Sequence, residues 1–233
     1  MLEAEAGRLC RILLDRRDVS PLLNLGSSTR AFREEERPHV ERELFAPLRR
    51  AGIAVFHSDL KEGDGVDLAG DVLDPDVMRD VKAREFRCVL AANLLEHVRD
   101  PAAVAAACEE IVGPDGLILA TVPSSYPYHA NPIDTGYRPS PAELAASFTR
   151  SSTLLTEELV GPTYSEDLRA RGSTVPKELA RTLLWSLLAA VRPSSVAARA
   201  HRWLWLSRPY RVSIALMAVR RPARPGRGGS ASR

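Results

Sequence analysis

The chain has 233 residues, of which 45% are hydrophobic, and its formal net charge is +2. This length and composition suit one α/β domain with a full hydrophobic core. The three cysteines form no CxxC pair and fit no disulfide framework, so we predict a reducing, cytoplasmic compartment. No basic stretch leads into an apolar run at the start, and no run approaches the roughly 18 apolar residues of a membrane span. We therefore expect neither a signal peptide nor a spanning helix.

The charge is distributed unevenly along the chain. Residues 1–150 hold 25 acidic residues and 18 Lys or Arg, whereas residues 151–233 hold 5 and 14. A basic surface on the second part would suit an anionic partner such as a membrane, nucleic acid or a phosphorylated substrate. Arginine-rich composition on a solvated face is an equally good interpretation.

Hydrophobic periodicity and turn residues predict alternating helices and strands, which favour an α/β fold with a parallel, doubly wound, Rossmann-like sheet. Two helix starts carry capping signals, Asp100 before Pro101 and Ser140 with Glu143. In chain order, the predicted elements are a helix over 2–17, a strand over 21–26, a polar loop over 27–37, a helix over 38–50, a strand over 52–56, a loop or very short strand over 61–70, a strand over 86–92, a helix from 100 to about 113, a strand over 117–122, a short helix from 139 and strands over 154–160 and 211–219.

The first two predicted strands end in residues suited to a ligand, because ligands of doubly wound sheets bind at the carboxyl edge. After the first strand, Gly26 allows close approach of the backbone, and the N–H groups of Ser27 and Ser28 can meet a carboxylate. After the second strand, Asp59 can accept hydrogen bonds from two ribose hydroxyls. A lone glycine or aspartate at such a position is more often a turn or a cap.

Two further segments complete this pattern. Asp71 and Val72 together suit an adenine, the first as an acceptor for its amino group and the second as a surface for its ring. Asn93 and Leu94 follow the third clear strand and place a polar rim over an apolar floor. The order and spacing of these residues, rather than any single one, indicate a binding site.

Three stretches resemble the class I S-adenosylmethionine-dependent methyltransferases, in particular a type 11-like bacterial subgroup. Residues 93–122, NLLEHVRDPAAVAAACEEIVGPDGLILATV, resemble the family's segment of Leu-Glu-His-Val, Asp-Pro, a helix, Pro-Gly-Gly and a strand. Residues 58–71, SDLKEGDGVDLAGD, are similar to its cofactor-binding loop, and residues 126–144, YPYHANPIDTGYRPSPAEL, to a segment after the next strand. The resemblance covers about residues 21–160 and the last strand.

The resemblance implies a mostly parallel sheet with an antiparallel last strand and an enzyme that uses S-adenosylmethionine. The implied reaction is methyl transfer to an unidentified small-molecule or glycan acceptor, at oxygen. A catalytically inactive binding or scaffold protein with the same fold is the alternative. The residues that would hold the cofactor are Asn24, Gly26, Ser27, Ser28, Asp59, Asp71, Val72, Asn93 and Leu94.

The chain departs from the family's first loop at three positions. The family usually has glycines two and four positions after Gly26, where this chain has Ser28 and Arg30. It usually has an acidic residue where this chain has Asn24. Serine is small enough for the loop, whereas Arg30 must point away from the cofactor for the site to stay open. These replacements favour the inactive alternative.

His129 and Asp134 are the predicted catalytic residues. His129 follows the strand that ends at Val122, on the side where an acceptor would dock, and Asp134 is close enough along the chain to orient it. The alternative is that both side chains only fasten a proline-rich loop by hydrogen bonds. No His, Cys or acidic residues have metal-ligand spacing, so we predict no metal.

A helical insertion over residues 161–209 is predicted before the last strand. Its helices, over 178–191 and 196–206, contain all three tryptophans and several arginines. This composition suits a lid or a homodimer face, and it also suits peripheral membrane contact through residues 178–206. Because the basic residues mix with apolar helix, a nucleic-acid partner is not favoured.

The predicted domain organisation is a single domain over residues 1–219 that includes this insertion. Residues 220–233 contain no hydrophobic residue except alanine and form a predicted disordered, basic tail. The predicted location is the cytoplasm, with peripheral attachment to a membrane as the alternative.

Overall fold

The structure is a computed structural model that describes residues 1–16, 18–128, 133–186 and 201–221, without the side chains of residues 185 and 186. Its strands are β1 (Leu22–Leu25), β2 (Val55–Asp59), β3 (Leu68–Ala69), β4 (Cys88–Ala92), β5 (Leu117–Ser125), β6 (Ser151–Thr163) and β7 (Pro209–Val219). Its α-helices are α1 (Glu3–Leu14), α2 (Pro38–Val40), α3 (Ala46–Arg50), α4 (Pro75–Lys82), α5 (Pro101–Val112), α6 (Pro141–Ala146), α7 (Tyr164–Ala170) and α8 (Val175–Ser186). Short π-helical segments lie at Phe32–Glu36 and Glu41–Phe45, and 3-10 turns at Leu95–His97 and Arg202–Trp205.

The seven strands form one sheet in the order β3-β2-β1-β4-β5-β7-β6. Neighbouring strands are parallel from β3 to β5, and β7 runs antiparallel to both β5 and β6. This topology confirms the predicted α/β class, with its mostly parallel sheet and antiparallel last strand. The strand order reverses between β1 and β4, so the switch point lies at the carboxyl ends of these two strands.

Hydrophobic layers cover both faces of the sheet. One layer joins Leu23 and Val89 of the sheet to α4, α5 and α6, and the other joins Leu22 and Leu90 to α1 and the helical segment over 38–50. Successive strand residues enter opposite layers because side chains alternate along a strand. The layers leave the carboxyl ends of β1, β2 and β4 as the edge that carries the predicted site.

The second strand begins three residues later than predicted. The sequence predicts a strand over 52–56, whereas β2 spans Val55–Asp59. Gly52 has a φ of 82° and its N–H donates to the carbonyl of Arg49, so it ends the preceding helix instead of starting the strand. The correction makes Asp59 the last residue of β2, still at the carboxyl edge.

The fifth strand continues past Pro123, which was expected to close it after residue 122. Pairing with β4 stops at Thr121, so the missing N–H of Pro123 falls where β4 offers no further partner. A register shift between Pro123 and Ser125 accommodates the proline against β7. The strand expected over 154–160 is likewise longer and spans Ser151–Thr163.

Two helical segments lie where the sequence analysis places none. Phe32–Glu36 forms a π-helical turn inside the segment predicted as a polar loop over 27–37. Helix α4 follows Asp74, whose carboxylate accepts hydrogen bonds from the N–H groups of Asp76 and Val77. That cap is the same kind of signal as the predicted cap of α5, which the structure confirms at Asp100.

The insertion between β6 and β7 contains α7, α8 and a 3-10 turn. Helix α8 begins at Val175, earlier than the predicted 178, and residues 187–200 lie outside the described part of the chain. Of the helix predicted over 196–206, the described part is the 3-10 turn Arg202–Trp205. Within the described ranges, no helix has the length and apolar character needed to cross a membrane.

The first two residues of the predicted disordered tail are held by contacts. The N–H of Arg220 donates to the carbonyl of Arg150 at 2.9 Å, and Nε of Arg221 donates to Oδ2 of Asp115 at 2.5 Å. The disordered tail stays a prediction. The rest of the tail, residues 222–233, lies outside the described residues.

Candidate functional site

The loop after β1 brings Gly26 against Leu94, two residues that the sequence analysis placed in one site. Gly26 has a φ of 76°, and a Cβ built on it would lie 2.8 Å from Cδ1 of Leu94. A side chain at position 26 would therefore strain the backbone, and the end of the Leu94 side chain would have to shift to admit it. Ser28 also has a positive φ, 54°, which marks a sharp turn in the same loop.

The backbone N–H groups of this loop are directed at β2. Those of Gly26 and Ser27 donate to the carbonyl of Ser58 at 2.8 and 2.9 Å, and that of Ser28 donates to Oδ2 of Asp59 at 2.7 Å. The expectation that these N–H groups meet a ligand carboxylate is not supported in this conformation. The loop instead brings Ser28 and Asp59 together at the switch point.

A buried arginine holds the loop in this shape. Nη1 of Arg33 donates to the carbonyls of Ser27 and Ser28 at 3.2 and 2.6 Å, and Nη2 donates to the carbonyl of Gly65 at 2.8 Å. Arg33 is 3% exposed, and this burial lowers its pKa. Gly65 leaves room for the guanidinium, because a Cβ there would lie 2.8 Å from Nη2. The sequence analysis missed Arg33, which lies in the unpredicted π-helical turn.

Arg30, the residue at the position of a family glycine, contacts the loop over 63–65. Its N–H donates to the carbonyl of Asp64 at 2.8 Å, and its guanidinium pairs with the Asp64 carboxylate at 3.5 Å. The side chain is exposed, and its Cβ lies next to Gly65. Arg30 is therefore engaged with this loop.

The two predicted adenine contacts differ in exposure. Asp71 is exposed, and its Oδ1 accepts a hydrogen bond from the N–H of Leu73 at 2.9 Å. Val72 is 7% exposed and packs in the hydrophobic layer with Leu25. Asp71 is accessible to a ligand, whereas Val72 offers only a small surface. Both assignments remain predictions.

Asn24 is buried and engaged with His57. Its Nδ2 donates to Nδ1 of His57 at 3.1 Å, and Phe45 contacts the imidazole edge-on. Burial lowers the pKa of His57 to about 4, which keeps the ring neutral and able to accept this hydrogen bond. The contact places Asn24 on the face of the sheet that packs against the helical segment over 38–50. To contact a cofactor, the Asn24 side chain would have to give up its hydrogen bond to His57.

The neutral state of His57 predicts a pH dependence of stability. As the pH falls from about 6.5 towards 4, the unfolded chain binds a proton that folded His57 does not, so the free energy of unfolding decreases by about 3 kcal/mol. We expect His57→Gln, whose amide oxygen can accept from Asn24, to flatten this decline in urea titrations at pH 4.5 and 7. Equal declines in wild type and variant would contradict the assignment.

A second network ties α1 to the ends of β4 and β5. Oε1 of Glu5 accepts hydrogen bonds from Nδ2 of Asn93 and Oγ1 of Thr121, both at 2.7 Å, and Glu5 is fully buried. Asn93 has a φ of 52°, a conformation that asparagine tolerates better than most residues. The side chain of Asn93, predicted to line the site, is thus held in place by α1. A glutamate on the apolar face of the first helix was the available signal for this network.

The segment after β5 packs on the turn that follows β4. The N–H and hydroxyl of Thr135 donate to the carbonyl of Glu96 at 2.9 and 3.1 Å. The Asp134 carboxylate accepts from the N–H of Gly136 at 2.9 Å and from Arg138 at 2.5 Å. These contacts give Asp134 a role in holding the segment after β5. The other predicted catalytic residue, His129, lies outside the described residues. Their catalytic assignment stays a prediction.

No group of three or more His, Cys, Asp or Glu side chains suited to a metal ion occurs within the described part of the chain. The three cysteines are free and buried, and burial raises the pKa of Cys88 and Cys108 to about 12. Thiolate chemistry is therefore not favoured at these two positions.

Comparison of the sequence with known proteins gives one partial match. No family profile matches the chain. It is 39% identical over 97 residues to a protein of Thiobacillus denitrificans named ubiquinone biosynthesis O-methyltransferase. This match covers 35% of the chain and 41% of the relative, so it spans less than half of either protein. The relative bears the name of a methyltransferase, and the resemblance seen in the sequence is to methyltransferases as well.

Comparison with solved structures gives matches over almost the whole chain. A protein of Bacillus halodurans described as a candidate methyltransferase has a TM-score of 0.50 at 13% identity, covering 94% of this chain and all of that one. The [4+2]-cyclase SpnF also has a TM-score of 0.50, at 14% identity, covering 93% of this chain and 81% of that one. At such low identity these likenesses confirm the fold alone.

Proposed function

On the basis of its class I methyltransferase fold, we propose that this protein transfers a methyl group from S-adenosylmethionine to a hydroxyl oxygen of a small molecule or glycan. The observation that carries the proposal is the geometry at the switch point. There, Gly26 lies against Leu94, and Asp59 closes the loop through Ser28. This is the edge at which doubly wound sheets bind their ligands.

The residues at this edge fit the cofactor. Asp59 is half-buried, and its carboxylate retains lone pairs for ribose hydroxyls beside the hydrogen bond from Ser28. Asp71 is exposed and can accept from an adenine amino group. When bound, the cofactor would supply an electrophilic methyl group. Leu94 and Gly26 would then limit how closely the backbone and the cofactor approach.

Transfer to oxygen is supported by the name of the partial relative, an O-methyltransferase. A hydroxyl acceptor needs a group that takes its proton, whereas a neutral amine does not. Transfer to a hydroxyl group therefore requires a base near the switch point. The experiment below distinguishes a small-molecule acceptor from a glycan acceptor.

The second candidate is a binding or scaffold protein that does not transfer methyl groups. The replacements Ser28 and Arg30 favour it, because they change the loop that faces the cofactor. The likeness to a cyclase shows that this fold also carries other chemistry. In the structure Arg30 pairs with Asp64 at the exposed surface of the loop over 63–65.

The proposal is tested by following methyl transfer directly. The purified chain is incubated with S-adenosylmethionine labelled in its methyl group and with pools of catechols, other phenols, sugars and glycolipids. We expect label in an extractable hydroxylated product together with S-adenosylhomocysteine, and loss of both with Asp59→Ala. Tight cofactor binding without transfer to any pool would favour the scaffold candidate.

Exposed leucines in the insertion support the proposal of peripheral membrane contact. Leu179, Leu183 and Leu184 of α8 are exposed, Leu183 to 62%, and Lys177 and Arg181 are exposed on the same helix. Apolar and basic side chains together suit an anionic lipid surface.

We expect the wild-type chain to float with vesicles containing phosphatidylglycerol at low salt. The double variant with Leu183→Glu and Leu184→Glu should not float. Leu154→Glu, at an exposed leucine of β6, is the matched control and should float as wild type. If wild type, the double variant and Leu154→Glu all fail to float with the vesicles at low salt, membrane contact is ruled out. Concentration-dependent sedimentation lost in the double variant would instead identify a homodimer face.

A further inference from the structure

Glu96 is a buried carboxyl group in the 3-10 turn that follows β4, and no described residue donates a hydrogen bond to it. It is 1% exposed, and within the described ranges neither carboxyl oxygen accepts a hydrogen bond. Two other buried glutamates are satisfied: Glu5 by Asn93 and Thr121, and Glu109 by groups of residues 150 and 151. Leaving a buried charged group unpaired is costly, and a native protein that does so often uses the group toward a ligand.

The surroundings of Glu96 leave it available. The charge of Arg138 favours the carboxylate form of Glu96, but its guanidinium donates its hydrogen bonds to Asp134 at 2.5 Å and to the carbonyl of Tyr137 at 3.0 Å. The charged and titratable groups that face Glu96 are Glu5 of α1, Arg138 after β5, the N-terminal amine of Met1 and the neighbouring His97, whose Nε2 is 3.8 Å from Oε1.

The position of Glu96 relates it to the predicted site. It follows Leu94 by two residues, and the side chain of Leu94 lies over Gly26. Asn93, at the start of the same turn, is bonded to Glu5, which itself faces Glu96. The carboxyl group therefore belongs to the turn at the carboxyl end of β4, two residues from the Leu94 side chain of the proposed cofactor site.

We propose that Glu96 accepts a hydrogen bond from the acceptor's hydroxyl group and takes its proton during methyl transfer. This inference rests on the proposed function. The O–H bond breaks, and its electron pair forms the new C–O bond to the methyl group. The proton goes to the Glu96 carboxylate, and the electron pair of the broken C–S bond remains on sulfur.

The environment of Glu96 suits a proton acceptor that works near neutral pH. Burial raises its pKa to about 7, and the charge of Glu5 adds to this effect. The carboxylate form is required to take the proton, so the rate should rise with pH through about 7. The free energy of unfolding depends on pH in the opposite direction to the rate. Between pH 4.5 and 7 the folded chain retains a proton on Glu96 that the unfolded chain has lost. Stability therefore falls as the pH rises through this window.

The experiment compares Glu96→Gln with wild type, using 3,4-dihydroxybenzoate or the acceptor found by label transfer as the probe. The first readout is kcat and KM from pH 5.5 to 9, and the second is urea unfolding without ligands over the same range. Glu109→Gln is the matched control, since Glu109 is equally buried but fully hydrogen-bonded on the side of α5 away from the site. S-Adenosylhomocysteine affinity reports on the intact cofactor site.

We expect Glu96→Gln to lower kcat about 100-fold or more with KM and S-adenosylhomocysteine affinity within about 3-fold, and to remove the rise near pH 7. It should also raise the Tm at pH 8 by about 5 °C, because an unpaired buried charge is removed. Glu109→Gln should keep the pH profile and lower the Tm.

Five results would overturn the assignment. The first is a pH profile of kcat that is unchanged in Glu96→Gln. The second is a rise of kcat near pH 7 that is lost in His129→Gln but kept in Glu96→Gln. An unchanged stability profile between pH 5.5 and 7 would show that the carboxyl group is not buried and unpaired in solution. Wild type that binds S-adenosylhomocysteine but methylates no acceptor would overturn the proposed function and this inference with it. An active wild type with an equally active variant overturns this inference alone.

Discussion

Replacing Arg33 by leucine is expected to lower the free energy of unfolding by about 3 kcal/mol, because the buried or partly buried carbonyls of Ser27, Ser28 and Gly65 lose the hydrogen bonds from its guanidinium. Arg33→Lys should recover only part of this loss, since an ammonium cannot reach the carbonyls of Ser27, Ser28 and Gly65 with the same planar geometry. Urea denaturation of the three proteins measures the difference.

Arg30→Leu is the matched control for Arg33. Arg30 lies in the same segment, but its side chain is 56% exposed and pairs with the exposed Asp64. Removing such a surface pair changes stability by about 0.5 kcal/mol or less. Equal losses for Arg33→Leu and Arg30→Leu would show that Arg33 does not hold the loop. The variant at Arg33 should also weaken cofactor binding, because the conformation of Ser27 and Ser28 depends on it.

Replacing Asp59 by alanine is expected to reduce affinity for S-adenosylhomocysteine by about 100-fold. Two hydrogen bonds from ribose hydroxyls to a carboxylate would each contribute about 1.5 kcal/mol or more, and together they correspond to this factor. The same change frees the N–H of Ser28, which donates to Oδ2 in the structure. Ligand-induced shifts of the Tm and equilibrium dialysis measure the loss.

Asp64→Ala is the matched control for Asp59. Asp64 is an aspartate of the adjacent loop, is 77% exposed and binds Arg30 at the surface. We expect its affinity for S-adenosylhomocysteine to stay within about 2-fold of wild type, since exposed pairs contribute little. If Asp59→Ala retains wild-type affinity while remaining folded, the ribose assignment is wrong.

Local signals in the sequence predict the framework of the fold. The caps at Asp100 and Ser140, each followed by proline, place the starts of α5 and α6 correctly. Four-residue and longer apolar runs locate the buried strands, because strands covered on both faces have nearly continuous hydrophobic sequence. Gly26 directly follows β1, as predicted, because the apolar run ends there.

Element boundaries were predicted less well, because they depend on tertiary pairing. Gly52 belongs to the helix end and not to β2, and Pro123 stays within β5 because β4 has already ended. Neither outcome is visible in the local sequence. The neighbouring strand decides whether a residue without an N–H can be accommodated.

The polar residues that complete the site were not predicted, for a physical reason. Arg33, Glu5 and Glu96 are charged residues that are nearly fully buried. Hydrophobic periodicity assigns charged residues to the surface, so it places all three incorrectly. Their burial depends on partners distant in sequence, such as Gly65 and Asn93. The roles of Asn24, Gly26, Asp59, Asp71 and Leu94 toward a cofactor remain predictions that binding experiments must test.

Isothermal titration calorimetry of the purified chain with S-adenosylmethionine tests the central claim most directly. We predict one site per chain with a dissociation constant in the micromolar range, lost in Asp59→Ala and weakened in Arg33→Leu, while Asp64→Ala binds as wild type. Absence of heat at millimolar cofactor, with a folded protein, would contradict the claim that this edge of the sheet binds S-adenosylmethionine.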